Sequence, residues 1–151
     1  MEAYGWSETP EDPCNPATFF KSKIAWEDRS YGRQAVMLDY YKSLLRLRST
    51  LPALGRPGGL ADAGRLEDSQ TIFLHRSRGT SDVFAVLNFS DSPVRVSLPF
   101  RGGSWRKCLD SSDARWEGPG SAVQDEIEGG DKAALNPYSA VILEQIARRG
   151  R

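Results

Sequence analysis

A single histidine, two cysteines and scattered carboxylates are the residues of this sequence that could do chemistry, and none stands in a catalytic spacing. His75 lies in the alternating run TIFLHR, so it is expected to project from a strand toward solvent or a neighbour. A Ser-His-Asp or Cys-His machine would have to use it, having no other imidazole. Cys14 and Cys108 are far apart with no CxxC, and a Cys/His zinc site needs about four ligands, so no metal is expected. Both read as reduced thiols. Twenty acids always permit a pair of carboxylates for glycoside hydrolysis. Yet Glu11-Asp12, Glu27-Asp28, Glu67-Asp68 and Asp125-Glu126 are neighbours in loop-like sequence, as solvated surface would be. Asp110 and Asp113 bracket Ser111 and Ser112, which is turn chemistry. GRPGG at 55–59 lacks the Lys-Ser/Thr and strand-to-helix setting of a phosphate loop, and no cofactor is expected. Two rings remain as candidates for stacking on a sugar: Trp116, in the polar loop SSDARWEGPGS, and Trp105. Trp105 sits in the alternating run SWRKCL and reads mainly as core.

The elements that would position these residues divide the chain unevenly. Residues 1–29 lack periodicity: Pro10, Pro13 and Pro16 remove donors and fix φ, which disfavours helix and central strand. The same segment nevertheless holds Tyr4, Trp6, Phe19, Phe20 and Trp26, and so many large rings ask for a surface to pack on. Residues 30–54 read as a helix. Val36, Tyr40, Leu44 and Leu47 form one row, and Met37, Tyr41, Leu45 and Arg48 the next, so its apolar stripe is broad and wants cover on more than one side. Asp28 or Ser30 is expected to cap it and Pro52 to stop it. Residues 55–70, opening GRPGGLADAG, read as a turn-rich connector. Residues 71–147 carry short strands at 71–76, 83–89, 94–98, 104–109, near 122–127, at 132–136 and at 138–146, with turn residues between them. Mainly β, with a small antiparallel β-sandwich preceded by an irregular arm and one long helix, is the expected architecture.

Twenty Lys+Arg balance twenty Asp+Glu over 151 residues, which argues against nucleic acid or a polybasic membrane contact as partner. No apolar run approaches the roughly 18 residues of a membrane span, the start Met1-Glu2 is no signal peptide, and a cytoplasmic location is expected.

One combination is more specific. TFFKSKIAW (Thr18–Trp26), with YGW (Tyr4–Trp6) and Asp12-Pro13 before it and YKSLLRLRSTLPAL (Tyr41–Leu54) after it, resembles the malto-oligosyltrehalose trehalohydrolases of the α-amylase superfamily. The match runs through Phe19, Ser22, Lys23 and Trp26, then Leu44, Leu47, Arg48, Pro52, Ala53 and Leu54. VLNFS at 86–90 and YSAVIL at 138–143 look like strands of the amylase-type C-terminal β-domain. The resemblance implies a parent glycoside hydrolase that cleaves the α-1,4 bond releasing trehalose, its acids borne by a (β/α)8 barrel. Such a barrel needs about 200 residues or more, and the family's catalytic acids are expected upstream of this chain. The chain alone is therefore expected to be inactive, with no catalytic residue of its own. It would cover the barrel's flank through Tyr4, Trp6, Phe19, Phe20, Trp26, Tyr40, Leu44 and Leu47. Alternatives are a carbohydrate-binding module touching α-glucan through Trp116 or Trp105, and a separately encoded subunit docking on a barrel. Without a barrel, the apolar surface is expected to drive self-association.

Overall fold

The computed structural model describes residues 11–55, 57–66, 70–99 and 102–146. Tyr4 and Trp6 lie outside them.

Two compact units divide at Ala35 and Val36. In the first, Asn15 caps a short helix α1 (Pro16–Lys21), its side chain accepting from Ala17 N, with Pro16 in the first turn where no donor is lost. A 3-10 turn follows at Trp26–Ser30. Phe19 and Phe20 meet edge to face at 5.6 Å, and the Lys23 ammonium lies within 5 Å of both ring centres. Helix α2 (Gly32–Thr50) begins at the end of this unit. Asp28 does not cap it: its carboxylate accepts from the Tyr31 hydroxyl at 3.2 Å, inside the 3-10 turn that Ser30 closes.

The second unit carries the sheets. Pro52 ends α2, as its missing donor and ring require, but then starts a single further turn, α3 (Pro52–Gly55). Eight strands follow: β1 (Leu60–Leu66), β2 (Thr71–Arg78), β3 (Ser81–Asn88), β4 (Val94–Ser97), β5 (Ser104–Asp110), β6 (Glu126–Glu128), β7 (Lys132–Leu135) and β8 (Ala140–Ile146). One sheet has the order β1-β2-β3-β8-β5-β6 and the other pairs β4 with β7, every pairing antiparallel. The chain is mainly β with antiparallel sheets, as its periodicity indicates.

Alternation along the strands sends two sets of side chains to opposite faces. Phe84 and Val86 of β3, Val141 and Leu143 of β8 and Trp105 of β5 form one core with Val96 of β4, Leu98 and Ala133 and Leu135 of β7. Phe84 meets Trp105 edge-on at 5.7 Å and stacks with Phe73 at 5.5 Å. On the other face, Val83 and Ile142 pack with Leu51 and Ala53, joined by Leu47 and Leu54, so the end of α2 and α3 lie on the large sheet.

The stretch read as a connector holds strand β1, which pairs with β2 from Leu60↔Ser77 to Leu66↔Thr71. Its Gly and Ala content looks like a turn but serves packing. A Cβ on Gly64 would stand 2.7 Å from the Phe73 ring, so the missing side chain lets that ring lie across the strand. The strand expected near 122–127 is shorter and later, at Glu126–Glu128.

Buried Asn88 explains the VLNFS motif. Its side-chain NH2 donates to Ser92 O (3.0 Å) and Asn136 O (2.9 Å), while Oδ1 accepts from the Ser90 N–H and hydroxyl. All the hydrogen-bonding groups of the amide are used in joining the turn after β3 to the turn before β8. At that second turn Tyr138 takes a left-handed φ of 50° and donates its N–H to Ser90 O.

Candidate functional site

Two features of the second unit could meet another molecule: the outer row of α2 and a cleft beside β5. Along α2, Tyr40, Leu44 and Leu47 are half-buried, whereas Met37, Tyr41 and Leu45 are exposed. Leu47 joins the Leu51–Ala53–Val83 cluster and Tyr40 meets Trp116 edge-on at 5.2 Å. Tyr40 and Leu47, expected with Leu44 to dock on a barrel, make these contacts within the chain. Both face this chain's own β-domain, Leu47 at the sheet and Tyr40 at the turn that carries Trp116. The neighbouring row is exposed, Tyr41 by 59% and Leu45 by 62%. In the first unit, Phe19, Phe20 and Trp26 are exposed, Trp26 by 64%.

The cleft is built by a bulge and a turn. A register shift at Cys108 pairs Lys107 with Leu143 but Leu109 with Ile142, placing Leu109 on the helix-facing side. Lys107 is held in place: its ammonium donates to Ser121 Oγ (2.9 Å) and Val123 O (2.7 Å) and pairs with Asp125 at 3.0 Å. After β5, Asp110 is buried and accepts from Ser112 N and the Ser121 hydroxyl. Asp113 caps a 3-10 turn (Ala114–Trp116) by accepting from Arg115 N at 2.9 Å, so the DSSD run does make a turn. That turn presents Trp116, with the Arg115 guanidinium over one face of the indole at 4.4 Å. Arg115 also donates to Asp39 of α2 at 2.8 Å. The cleft, about 350 Å³ and open to solvent, lies between α2 at Ser43, Arg46 and Leu47 and the β5 side at Lys107, Leu109 and Trp116.

Charges near the cleft are tuned by their surroundings. Burial, then the nearby Asp110 and Tyr41, raise the Tyr40 phenol above its ordinary value. Burial raises the Cys108 thiol as well, Glu144 adding to it and Arg106 opposing it.

Trp105 is 2% exposed and belongs to the core, so it cannot stack on a sugar. Trp116 is half-buried and lines the cleft, with Arg115 over one face of its ring and Tyr40 edge-on to it. His75 takes a neighbour, as expected: Nε2 lies 2.5 Å from Asp82 Oδ1 and the ring stacks on Phe84. Among the described residues no group of three or more His, Cys, Asp or Glu is placed to hold a metal ion. No described helix is long and apolar enough to cross a membrane. The pairing of Asp39 with Arg115 was not apparent in the sequence, since nothing local signals a bond between positions 76 residues apart.

The second unit is thus a two-layer antiparallel β-domain with a helix packed on the outer face of its larger sheet. Residues 62–145 match the alpha amylase C-terminal all-beta domain, and the chain belongs to that family. Over 146 residues it is 36% identical to a malto-oligosyltrehalose trehalohydrolase of Brevibacterium helvolum, covering 95% of this chain and 22% of that protein. It is 38% identical over 100 residues to the malto-oligosyltrehalose trehalohydrolase of Rhizobium sp. (strain M-11), covering 66% of this chain and 16% of that protein. The chain thus spans about a fifth or less of the length of these relatives. The fold is shared with an alpha-amylase from H. orenii (TM-score 0.59, 15% identity, 89% of this chain and 25% of that one). It is shared also with the isomaltulose synthase SmuA from Protaminobacter rubrum (TM-score 0.56, 20% identity, 72% and 18%).

Proposed function

We propose that the chain acts as the non-catalytic C-terminal domain of a trehalohydrolase-like α-glucan hydrolase, covering the flank of a catalytic (β/α)8 barrel and fixing its last helix. The observation that carries this is α2 itself. One row, with Tyr40 and Leu47, is seated on the chain's own β-domain, while the adjacent row Met37, Tyr41 and Leu45 is left to water. Each such side chain forgoes roughly 1.5–3 kcal/mol of burial while exposed. A helix shared between two layers has this pattern, with the second layer here being the barrel. On this reading residues 1–29 are the arm leaving the barrel, 30–54 its last helix and 71–147 the β-domain. Phe19, Phe20 and Trp26 of the first unit, exposed as well, would make barrel contacts of their own. Deprived of a barrel, the same surface would draw copies of the chain together. The parent activity would be release of trehalose from maltooligosyl trehalose, a step of trehalose biosynthesis. Two thiols with no disulfide between them suit a reducing cytoplasm.

The experiment is a domain exchange. In the Rhizobium relative, the segment matching this chain is replaced by this chain, and hydrolysis of maltooligosyl trehalose is assayed. Activity in the chimera, its loss on Tyr41→Asp with Leu45→Asp, and none in the chain alone support the reading. Turnover by the chain alone, abolished by changing one of its own acids, would overturn it.

A further inference from the structure

Strand β1 ends the large sheet, and among the described residues no strand lies on its outer side. The two-residue turn Gly79-Thr80, with Gly79 at a φ of 58°, makes Arg78 and Ser81 a hydrogen-bonded pair. Such pairs alternate along an antiparallel ladder, so the even residues of β2 bond to β3 and the odd ones to β1. Through the register of β1 on β2, Leu60, Asp62, Gly64 and Leu66 are therefore the bonded residues. The backbone groups of Ala61, Ala63 and Arg65 point to the open side. An edge of this kind invites another strand. All seven residues of β1 pair in unbroken register, with neither Pro nor Lys nor a bulge to blunt it. Leu60 and Leu74 beside it are exposed, and a shallow hollow of about 300 Å³ at Ala61, Ala63 and Leu74 would receive the side chains of an added strand. The opposite edge, β6, is protected by being three residues long with Glu126 and Glu128 exposed.

One contact does blunt β1. The Asp62 carboxylate accepts from the N–H of Ala63, the middle one of the three outward residues, at 2.8 Å. Opposite Asp62 on β2 stands His75, but its imidazole is turned to Asp82, and Asp62 forms no ion pair among the described residues. We propose that Asp62 guards this edge, its carboxylate excluding a second copy of the chain that would add its own β1 to the sheet. A symmetric antiparallel pairing of two such strands centres on a single residue. Centred on Ala63, it needs the two Ala63 N–H groups that Asp62 occupies, and it sets the two carboxylates on a diagonal, roughly 7–8 Å apart. Centred on Asp62, it sets them directly opposite, where like charges destabilise. Either way the carboxylate opposes the growth of the sheet.

In the full chain, Asp62→Thr removes both acceptor and charge while keeping a good strand former, and Asp62→Asn keeps an acceptor without the charge. Asp62 is exposed and its side chain is bonded only to the next residue, so neither change should lower the melting temperature of the dilute chain. Mass by light scattering and amide hydrogen exchange at Ala61 and Ala63 are followed from micromolar to millimolar chain. Asp62→Thr should associate as concentration rises, and both amides should slow by about tenfold or more as the edge is covered. Asp62→Asn should associate less, and the wild type should leave the Ala61 amide fast throughout. Copies meeting through α2 instead would raise the mass of wild type and variants alike and leave these amides fast. That result would overturn the proposal, as would an Asp62→Thr chain whose Ala61 amide stays fast at millimolar concentration, or a wild type already slowed there.

Discussion

Arg115 donates to Asp39 at 2.8 Å while its guanidinium covers one face of Trp116, so one side chain ties helix α2 to the turn that follows β5. Tyr40, the next residue of the helix, meets the same indole. Helix and sheet are thereby joined at two places: here, and at the Leu47–Leu51–Ala53–Val83 cluster at the far end of the helix.

The Asp39–Arg115 bond alone contributes little, because both side chains are more than half exposed and water screens the pair. A double-mutant cycle with Asp39→Ala and Arg115→Ala should give a coupling of about 0.2–1 kcal/mol, shrinking in 1 M salt. Tyr40→Ala and Trp116→Ala should each cost more than either change in the pair. A coupling well above that range would mean that the pair is shielded from solvent.

Asn88 is the opposite case. Asn88→Ala leaves Ser92 O, Asn136 O and the Ser90 N–H without their partner in a buried place. The expected loss is about 2–4 kcal/mol in urea unfolding, from the lost bonds and the unsatisfied groups together. A loss under about 1 kcal/mol would show that water replaces the amide.

The two thiols should react unequally. Cys14 is exposed, whereas Cys108 is partly buried with its thiol raised by burial and by Glu144. Since the thiolate is the nucleophile, iodoacetamide at pH 8 should label Cys14 first. Glu144→Gln should then speed labelling of Cys108 modestly. Equal rates in the native protein would contradict the packing at the β5 bulge.

Tyr40 sets an alkaline limit. Its phenol is raised in the folded chain, so the folded state keeps a proton that the unfolded state releases near pH 10. The contribution is fully present below that pH and is lost as pH rises through the folded value. Tyr40→Phe, which cannot titrate, should flatten the fall of stability as pH rises above 10, measured by denaturant melts. An unchanged slope would mean that Tyr40 titrates alike in both states.

Strands β2 to β5, β7 and β8 were legible as short, largely apolar runs bounded by turn residues, with strict alternation at Val94 and Val96 of β4. Strand β1 was hidden, since LADAGRL carries the residues of a turn and is a strand through its pairing with β2. The helix was legible as amphipathic. Which of its two rows faces inward was not, as both are apolar and only the position of the sheet decides between them. Trp116 stood out as an aromatic in a polar loop, but its partners Asp39 and Tyr40 lie far away in sequence and meet it through the fold alone. Cleft residues Arg46 and Lys107 look like ordinary surface charges until β5 and α2 are laid side by side.

The central claim is that the outer row of α2 is covered by a barrel, and hydroxyl-radical footprinting reads it directly. Met37, Tyr41 and Leu45 are labelled in the free chain at low concentration and again in the chimera carrying the Rhizobium barrel. The account predicts strong labelling of all three in the free chain and protection of several-fold in the chimera. Tyr138, exposed on the β-domain, serves as a reference for labelling dose. Equal labelling of the three residues in both proteins would contradict the account.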